Sequence, residues 1–229
     1  MGLNVLIACE ESQRVTQAFR DNGIEAYSCD IIPTSGNHPE WHILTDVRNI
    51  LNGDCVCPME EGENLFKIGV WDAIIAFPPC TYLSNAAACR LYPRKGELDL
   101  ERYKKGLEAK KFFLDILFAD SPYIAVENPV SSRIFEMPPC TQEIQPYYFG
   151  YPVKKKTRLW LVNLPKLIPT DLVEPIGTYI PSGTGRKTNN SAGLAKRGDD
   201  SKERSKTFHC IAEAMANQWG DYLKKEYEL

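Results

Sequence analysis

The sequence predicts an α/β fold built on a parallel-type sheet. Three observations predict it. Short apolar, β-branched runs recur at 3–9, 24–29, 70–76 and 123–126. Segments with apolar residues at helical spacing alternate with them. Two of the runs also close on stiff turns that carry reactive side chains, Phe77-Pro78-Pro79-Cys80 and Glu127-Asn128-Pro129. In open α/β sheets, ligands bind outside the carboxyl ends of the strands, so these turns are the first candidates for chemistry.

Residues 3–9 form the first buried strand, and Glu10-Glu11-Ser12-Gln13 is a turn. Residues 15–20 have helical spacing, and Asn22-Gly23 ends that helix. Residues 24–29 form a second strand closed by Asp30. The resulting βαβ unit puts an acidic residue about twenty positions after its first turn, the spacing of a carboxylate on a ribose hydroxyl. Residues 41–47 lead to a second acidic residue, Asp46. The polar stretch 51–68 reads as an insertion or loop. Residues 70–76 form the third strand; Pro78 and Pro79 stop it and stiffen the turn that presents Cys80.

The strongest helix spans roughly 99–119, with an apolar stripe of Leu100, Tyr103, Leu107, Phe112, Phe113, Leu117 and Phe118. After the strand at 123–126, residues 144–163 read as a hairpin-like pair, Pro146 to Gly150, a turn, then Arg158 to Val162. Residues 164–206 are rich in Pro, Gly, Ser, Asn and Lys and lack periodicity. A final amphipathic helix spans 208–222, with Ile211, Ala212, Ala214, Met215, Trp219 and Tyr222 on its apolar side.

At 229 residues the chain supports one good core. Its 43% hydrophobic and 25% charged residues are those of an ordinary soluble protein. No apolar stretch approaches the roughly 20 residues of a membrane span, and the N-terminus runs straight into a strand without a signal peptide. A cytoplasmic protein is expected. Its eight scattered cysteines are then expected to be free thiols. Cys55-x-Cys57 is too tight for zinc and lacks a second pair, so no metal is expected. A net charge of −3 does not advertise nucleic-acid binding, but residues 183–206 carry seven basic against three acidic side chains.

Pro-Pro-Cys and Glu-Asn-Pro, each closing a strand and in this order, resemble the DNA cytosine-5 methyltransferase family. The resemblance implies a Rossmann-like S-adenosylmethionine-dependent methyltransferase fold, a single domain with a short recognition loop. It divides the chain into a catalytic core (1–163), a reduced target-recognition segment (164–206) and a C-terminal helix (207–229) that returns beside the first strand and closes the cofactor pocket. Compact methylases of this kind are found on phages and prophages, which would place the protein in a bacterial or phage-infected cell.

The implied reaction is methyl transfer to C5 of cytosine in duplex DNA, with the base flipped out of the stack. Cys80 matches the nucleophile that adds to C6. Glu127 matches the residue that hydrogen-bonds and protonates N3, held by Asn128 and Pro129. Pro79 and Ser84 flank the substrate. The segment Lys154 to Trp160 resembles the family's Gln-x-Arg-x-Arg motif, with Lys156 on the first arginine position and Arg158, as a catalytic residue, on the second.

For S-adenosylmethionine, Ala8, Cys9, Glu10 and Ser12 fall on the first cofactor loop, where the family usually has Phe-x-Gly-x-Gly and this chain has no glycine. Asp30 and Ile31 match the ribose contact, Asp46 the adenine amino contact, and Phe77 and Pro78 the adenine side. Arg186, Lys187, Lys196 and Arg197 are expected on DNA phosphates. No membrane contact is expected, and a monomer is. Two other readings remain open: C5-pyrimidine chemistry on RNA or a free nucleotide, and a catalytically degenerate DNA-binding relative.

Overall fold

Strand β1 (Asn4–Ala8) runs through the middle of the sheet, buried at all but its first residue, as a strand covered on both faces requires. The computed structural model describes residues 2–61, 65–94, 96–179 and 206–228. After β1 come α1 (Arg14–Asp21), β2 (Glu25–Asp30) and β3 (His42–Leu44). An edge ribbon follows, β4 (Cys55–Pro58) and β5 (Leu65–Ile68), and the chain re-enters the sheet as β6 (Ala73–Ala76). The remaining elements are α2 (Ala88–Leu91), α3 (Leu100–Leu117), β7 (Tyr123–Pro129), β8 (Gln142–Ile144), β9 (Val153–Lys154), β10 (Thr157–Val162), β11 (Gly177–Thr178) and α4 (His209–Glu226).

The seven-stranded sheet has the order β3-β2-β1-β6-β7-β10-β8. The first five strands are parallel, and β10 runs antiparallel to both of its neighbours. This is the Rossmann-like α/β fold the sequence predicts, with a mixed sheet. Strand order reverses between β1 and β6, which makes that gap the topological switch point where ligands bind.

Helices cover both faces. Val5, Ile7, Ile75, Ala125 and Leu159 pack against Val15 and Phe19 of α1 and Ile211, Met215 and Trp219 of α4. Leu6, Ile74, Val126 and Trp160 pack on the opposite face against Phe113, Ile116 and Leu117 of α3. The C-terminal helix thus lies beside α1. No helix among the described residues is long and apolar enough to cross a membrane.

Three sequence expectations change. The stretch 51–68 is a two-stranded antiparallel ribbon, joined to the sheet by a bridge from Met59 to Ile43. The expected hairpin at 144–163 is a 3-10 turn (Pro146–Tyr148), then β9, which pairs with β11, then β10, whose partners are β7 and β8. Leu100 and Leu107 of α3, and Phe118 just past its end, are exposed. Only the helix's C-terminal half lies over the sheet; its first half meets the small cluster of Leu83, Leu91 and Phe135. Arg186, Lys187, Lys196 and Arg197 lie outside the described residues.

Candidate active site

The two motifs close neighbouring strands. β6 and β7 are parallel, with Ala76 opposite Val126, so Phe77 and Glu127 leave the sheet side by side. The Phe77 N–H donates to the Ala8 carbonyl at 2.9 Å, extending the β1–β6 pairing past the strand end. Pro78 is buried, Pro79 exposed and Cys80 half-buried. The Cys80 carbonyl accepts from the N–H groups of Leu83 (3.1 Å) and Ser84 (2.9 Å), which folds the loop into a tight turn.

Cys80 and Glu127 border one cavity of about 560 Å³. Phe77, Pro78, Pro79, Ser84 and Pro129 belong to its wall, as does Gln145. The Gln145 Oε1 atom is buried and has no hydrogen-bond partner among the described residues. Ile211 and Met215 of α4 close the apolar side. Ser84 also caps the following 3-10 turn, its hydroxyl accepting from the Ala86 N–H at 3.2 Å. Asn128 is fully buried with both side-chain polar atoms unpartnered among the described residues. It faces away from the cavity, which Glu127 and Pro129 line.

The electrostatics follow from burial. Desolvation pushes the Cys80 thiol up to about 11; the Glu127 charge adds to this and Lys155 opposes it. Desolvation also lifts the Glu127 carboxyl to about 7, against the pull of Lys155 and the Thr157 hydroxyl. Burial lowers the Lys155 ammonium, while Glu127 and Cys80 hold it up. Lys155 and Gln145 are among the polar cavity residues that the sequence did not single out.

The resemblance to Gln-x-Arg-x-Arg pointed to Lys156 and Arg158. In this structure the register turns Arg158 away from Glu127: Leu159 pairs with Glu127, Arg158 pairs with Asn128, and side chains alternate across a strand. Arg158 Nε donates to Glu143 Oε1 at 2.9 Å. Lys156 borders the cavity, but its Nζ reaches Glu143 Oε2 at 2.9 Å.

The expected cofactor residues gather at the carboxyl ends of β1, β2 and β3, beside Phe77. Without glycine, the loop turns on Cys9 (φ 58°) and Gln13 (φ 56°), two non-glycine residues in the left-handed region. Each such residue costs about 1–3 kcal/mol, and such strain clusters at functional sites. Ala8 is buried and Ser12 half-buried. The Glu10 carboxylate turns inward and accepts from the Val15 N–H at 2.7 Å and the Thr16 N–H at 3.2 Å. It therefore satisfies the first turn of α1 itself, which closes its side chain to a ligand. Burial raises the Cys9 thiol far above its ordinary range, helped by the charges of Asp30 and Asp46.

Asp30 and Ile31 suit a nucleoside. Asp30 Oδ1 accepts from the N–H groups of Ile31 (2.7 Å) and Ile32 (3.3 Å), while Oδ2 has no hydrogen bond among the described residues. Ile31 is 72% exposed directly beside it. A carboxylate oxygen next to an apolar platform fits the hydroxyls and ring of an adenosine. Asp46 is more committed: its carboxylate holds Arg48 through both Nε and Nη2, and Arg48 keeps its carboxyl below the usual range.

No family model matches the chain, and no curated protein matches it. Among solved structures, it is similar to a protein designated a DNA modification methyltransferase, encoded within an E. coli prophage. The TM-score is 0.45 at 12% identity, over 76% of this chain and 52% of that one. It is also similar to the Entamoeba histolytica methyltransferase EhMeth, with a TM-score of 0.38 at 12% identity, over 76% of this chain and 58% of that one. The chain thus spans little more than half the length of either structure.

Proposed function

We propose that this protein transfers a methyl group from S-adenosylmethionine to C5 of cytosine in DNA, with Cys80 as nucleophile and Glu127 as acid. One observation carries the reading: a thiol and a carboxyl group, delivered by two adjacent parallel strand ends of which the first flanks the switch point, border the same cavity. The carboxyl titrates at about 7, so near neutral pH it is available in both protonation states, as a general acid–base requires.

Cys80 Sγ would form a bond to C6 while Glu127 delivers a proton to N3. This relieves the negative charge that nucleophilic addition places on the ring. C5 then carries the electron density that a methyl donor needs; after transfer, N3 returns its proton to Glu127 and loss of the C5 proton to solvent re-forms the C5=C6 bond and expels Cys80 as thiolate. When bound, S-adenosylmethionine supplies an electrophilic methyl group; Asp30 Oδ2 and Ile31 are the residues of this chain suited to its ribose and adenine. Gln145 Oε1 offers a buried acceptor to a ring N–H or amino group. Ile211 and Met215 exclude water from one side.

A cavity of about 560 Å³ admits a base and its sugar but not a duplex, so a cytosine in duplex DNA would have to be flipped into it. Lys154, Thr178 and Thr207 on the cavity wall offer donors to the sugar-phosphate.

The test is nucleoside mass spectrometry of total DNA from cells lacking their own cytosine-5 methylation and expressing wild type or Cys80→Ala. 5-Methylcytosine with wild type alone is the expected result. Its absence from both, with soluble protein confirmed, rejects DNA as substrate. The same measurement on total RNA and the nucleotide pool then decides between the other pyrimidine substrates.

A further inference from the structure

We propose that, among the described residues, Lys155 is the one cation shared by Cys80 and Glu127, and that the thiol's own proton moves to Glu127 as the thiolate forms. The inference rests on the cavity being the reaction centre.

The geometry supplies the parts. Cys80 follows β6, Glu127 lies on β7 and Lys155 precedes β10, yet all three line the cavity. The Lys155 Nζ lies 5.2 Å from the centre of the Phe208 ring and 5.7 Å from that of Tyr179, so two aromatic faces hold the cation in place. Among the described residues that line the cavity, Glu127 is the sole carboxylate.

The remaining charged neighbours do not replace Lys155. Arg14, on α1, acts on Lys155 only as a like charge. Lys156 is turned to Glu143, and Lys154 is exposed at the rim. The Thr157 hydroxyl is the other polar group acting on Glu127.

One cation facing two acids in a desolvated site supports one anion well and two poorly. With Glu127 ionised, Lys155 is neutralised and the thiol keeps its proton. When the S–H bond breaks and the proton goes to the Glu127 carboxylate, the thiolate replaces it as the partner of Lys155. The charge of the trio is unchanged and no other reactant is needed. The product of this transfer is a thiolate ready for C6 and a neutral carboxylic acid ready for N3. Lys155 is thus a positioning residue, acting through the two groups that touch the base.

The test is alkylation of Cys80 by iodoacetamide across pH 6–10, followed on the Cys80 peptide by mass spectrometry so that the other cysteines do not contribute. It uses the full chain without DNA or cofactor. Lys155→Met should slow Cys80 alkylation at pH 8 by more than about threefold, because the thiolate fraction falls as the thiol pKa rises. Lys155→Arg should restore the wild-type rate to within about threefold. Glu127→Gln should move the rate the other way, faster than wild type, by removing the competing anion.

A Lys155→Met rate within about threefold of wild type, a Lys155→Arg rate as low as that of Lys155→Met, or slower alkylation in Glu127→Gln would each overturn the proposal. If circular dichroism shows Lys155→Met unfolded, the direction of the Glu127→Gln effect decides alone. Alkylation behaving as expected without any 5-methylcytosine would reject the proposed reaction and leave this inference standing. 5-Methylcytosine forming with the alkylation pattern absent would do the reverse.

Discussion

The Asn85 backbone N–H donates to the Val130 carbonyl at 2.8 Å, and the Ser132 N–H returns a bond of the same length to Leu83. These two bonds zip the loop after Cys80 to the segment after Glu127-Asn128-Pro129, so the separation of thiol and carboxyl is set by backbone. Asn85→Pro deletes the first bond together with a polar side chain on the cavity wall, and Asn85→Ala removes the side chain alone. Ser84 already has φ −58° and ψ 134°, which a following proline accepts. Asn85 also opens a 3-10 turn, a position that suits proline. The substitution should cost about 1 kcal/mol of stability and lower the methyl-transfer rate by about tenfold or more, since small misplacements at a reacting centre are costly. Denaturant titration and single-turnover kinetics measure the two effects. Asn85→Ala keeps the N–H, and should retain the rate if the backbone bond is what matters.

Glu127 makes stability depend on pH in a direction opposite to that of a salt-bridged carboxylate. Its carboxyl titrates at about 7 in the folded protein against 4.5 as the ordinary value. The folded state therefore binds more protons than the unfolded state between these values, and stability falls as pH rises through that window. Glu127→Gln removes the penalty. The variant should equal wild type near pH 4.5 and exceed it by roughly 3 kcal/mol at pH 8, while losing about 10²–10⁴-fold in methyl transfer. Urea unfolding at pH 5 and pH 8 is the measurement. An equal stability difference at both pH values would show that Glu127 titrates normally.

Gly106 is required by contact with Phe135. A Cβ built on Gly106 would lie 2.2 Å from the Phe135 ring, in the middle of α3. Helix propensity alone would favour Gly106→Ala by about 1 kcal/mol. The overlap should outweigh this and leave a net loss of about 1–3 kcal/mol. The double variant Gly106→Ala/Phe135→Leu should recover most of it. Thermal unfolding of the single and double variants tests the coupling. Phe135 stacks on Tyr103 at 5.7 Å, so this packing also fixes the segment that follows Glu127-Asn128-Pro129.

The strands and the two closing motifs were legible because they are local: apolar runs, prolines and the residues after them. The switch point was not legible, because it depends on the order of strands in the sheet rather than along the chain. What could not be read was parity along β10. Leu159 and Trp160 are both apolar and both buried, because helices cover both faces of the sheet, so no alternation marks which neighbour points to the cavity. The pairing of Leu159 with Glu127 decides it, and that is a long-range fact. The first loop was opaque for a similar reason. Its missing glycines are replaced by left-handed Cys9 and Gln13 and by Glu10 folding back on α1, neither of which has a pattern in sequence.

Parity along β10 yields a prediction for Arg158. Its guanidinium is paired with Glu143 on the face away from Glu127, and the two side chains are 32% and 37% exposed. Lys156 shares the same carboxylate, so Glu143 keeps a cation when Arg158 is removed. Arg158→Ala should therefore cost at most about 1 kcal/mol, the worth of a partly exposed ion pair, and leave methyl transfer within about threefold of wild type, well below the loss from removing a general acid. Steady-state kinetics on duplex DNA, together with a melting curve, measure both. A loss of about 10² or more, the size seen when a transition-state donor is deleted, with stability intact would mean that Arg158 leaves Glu143 and enters the cavity when DNA binds. Glu143→Gln would then raise the rate by freeing it. If Arg158 stays where the register puts it, Glu143→Gln changes the rate no more than Arg158→Ala does.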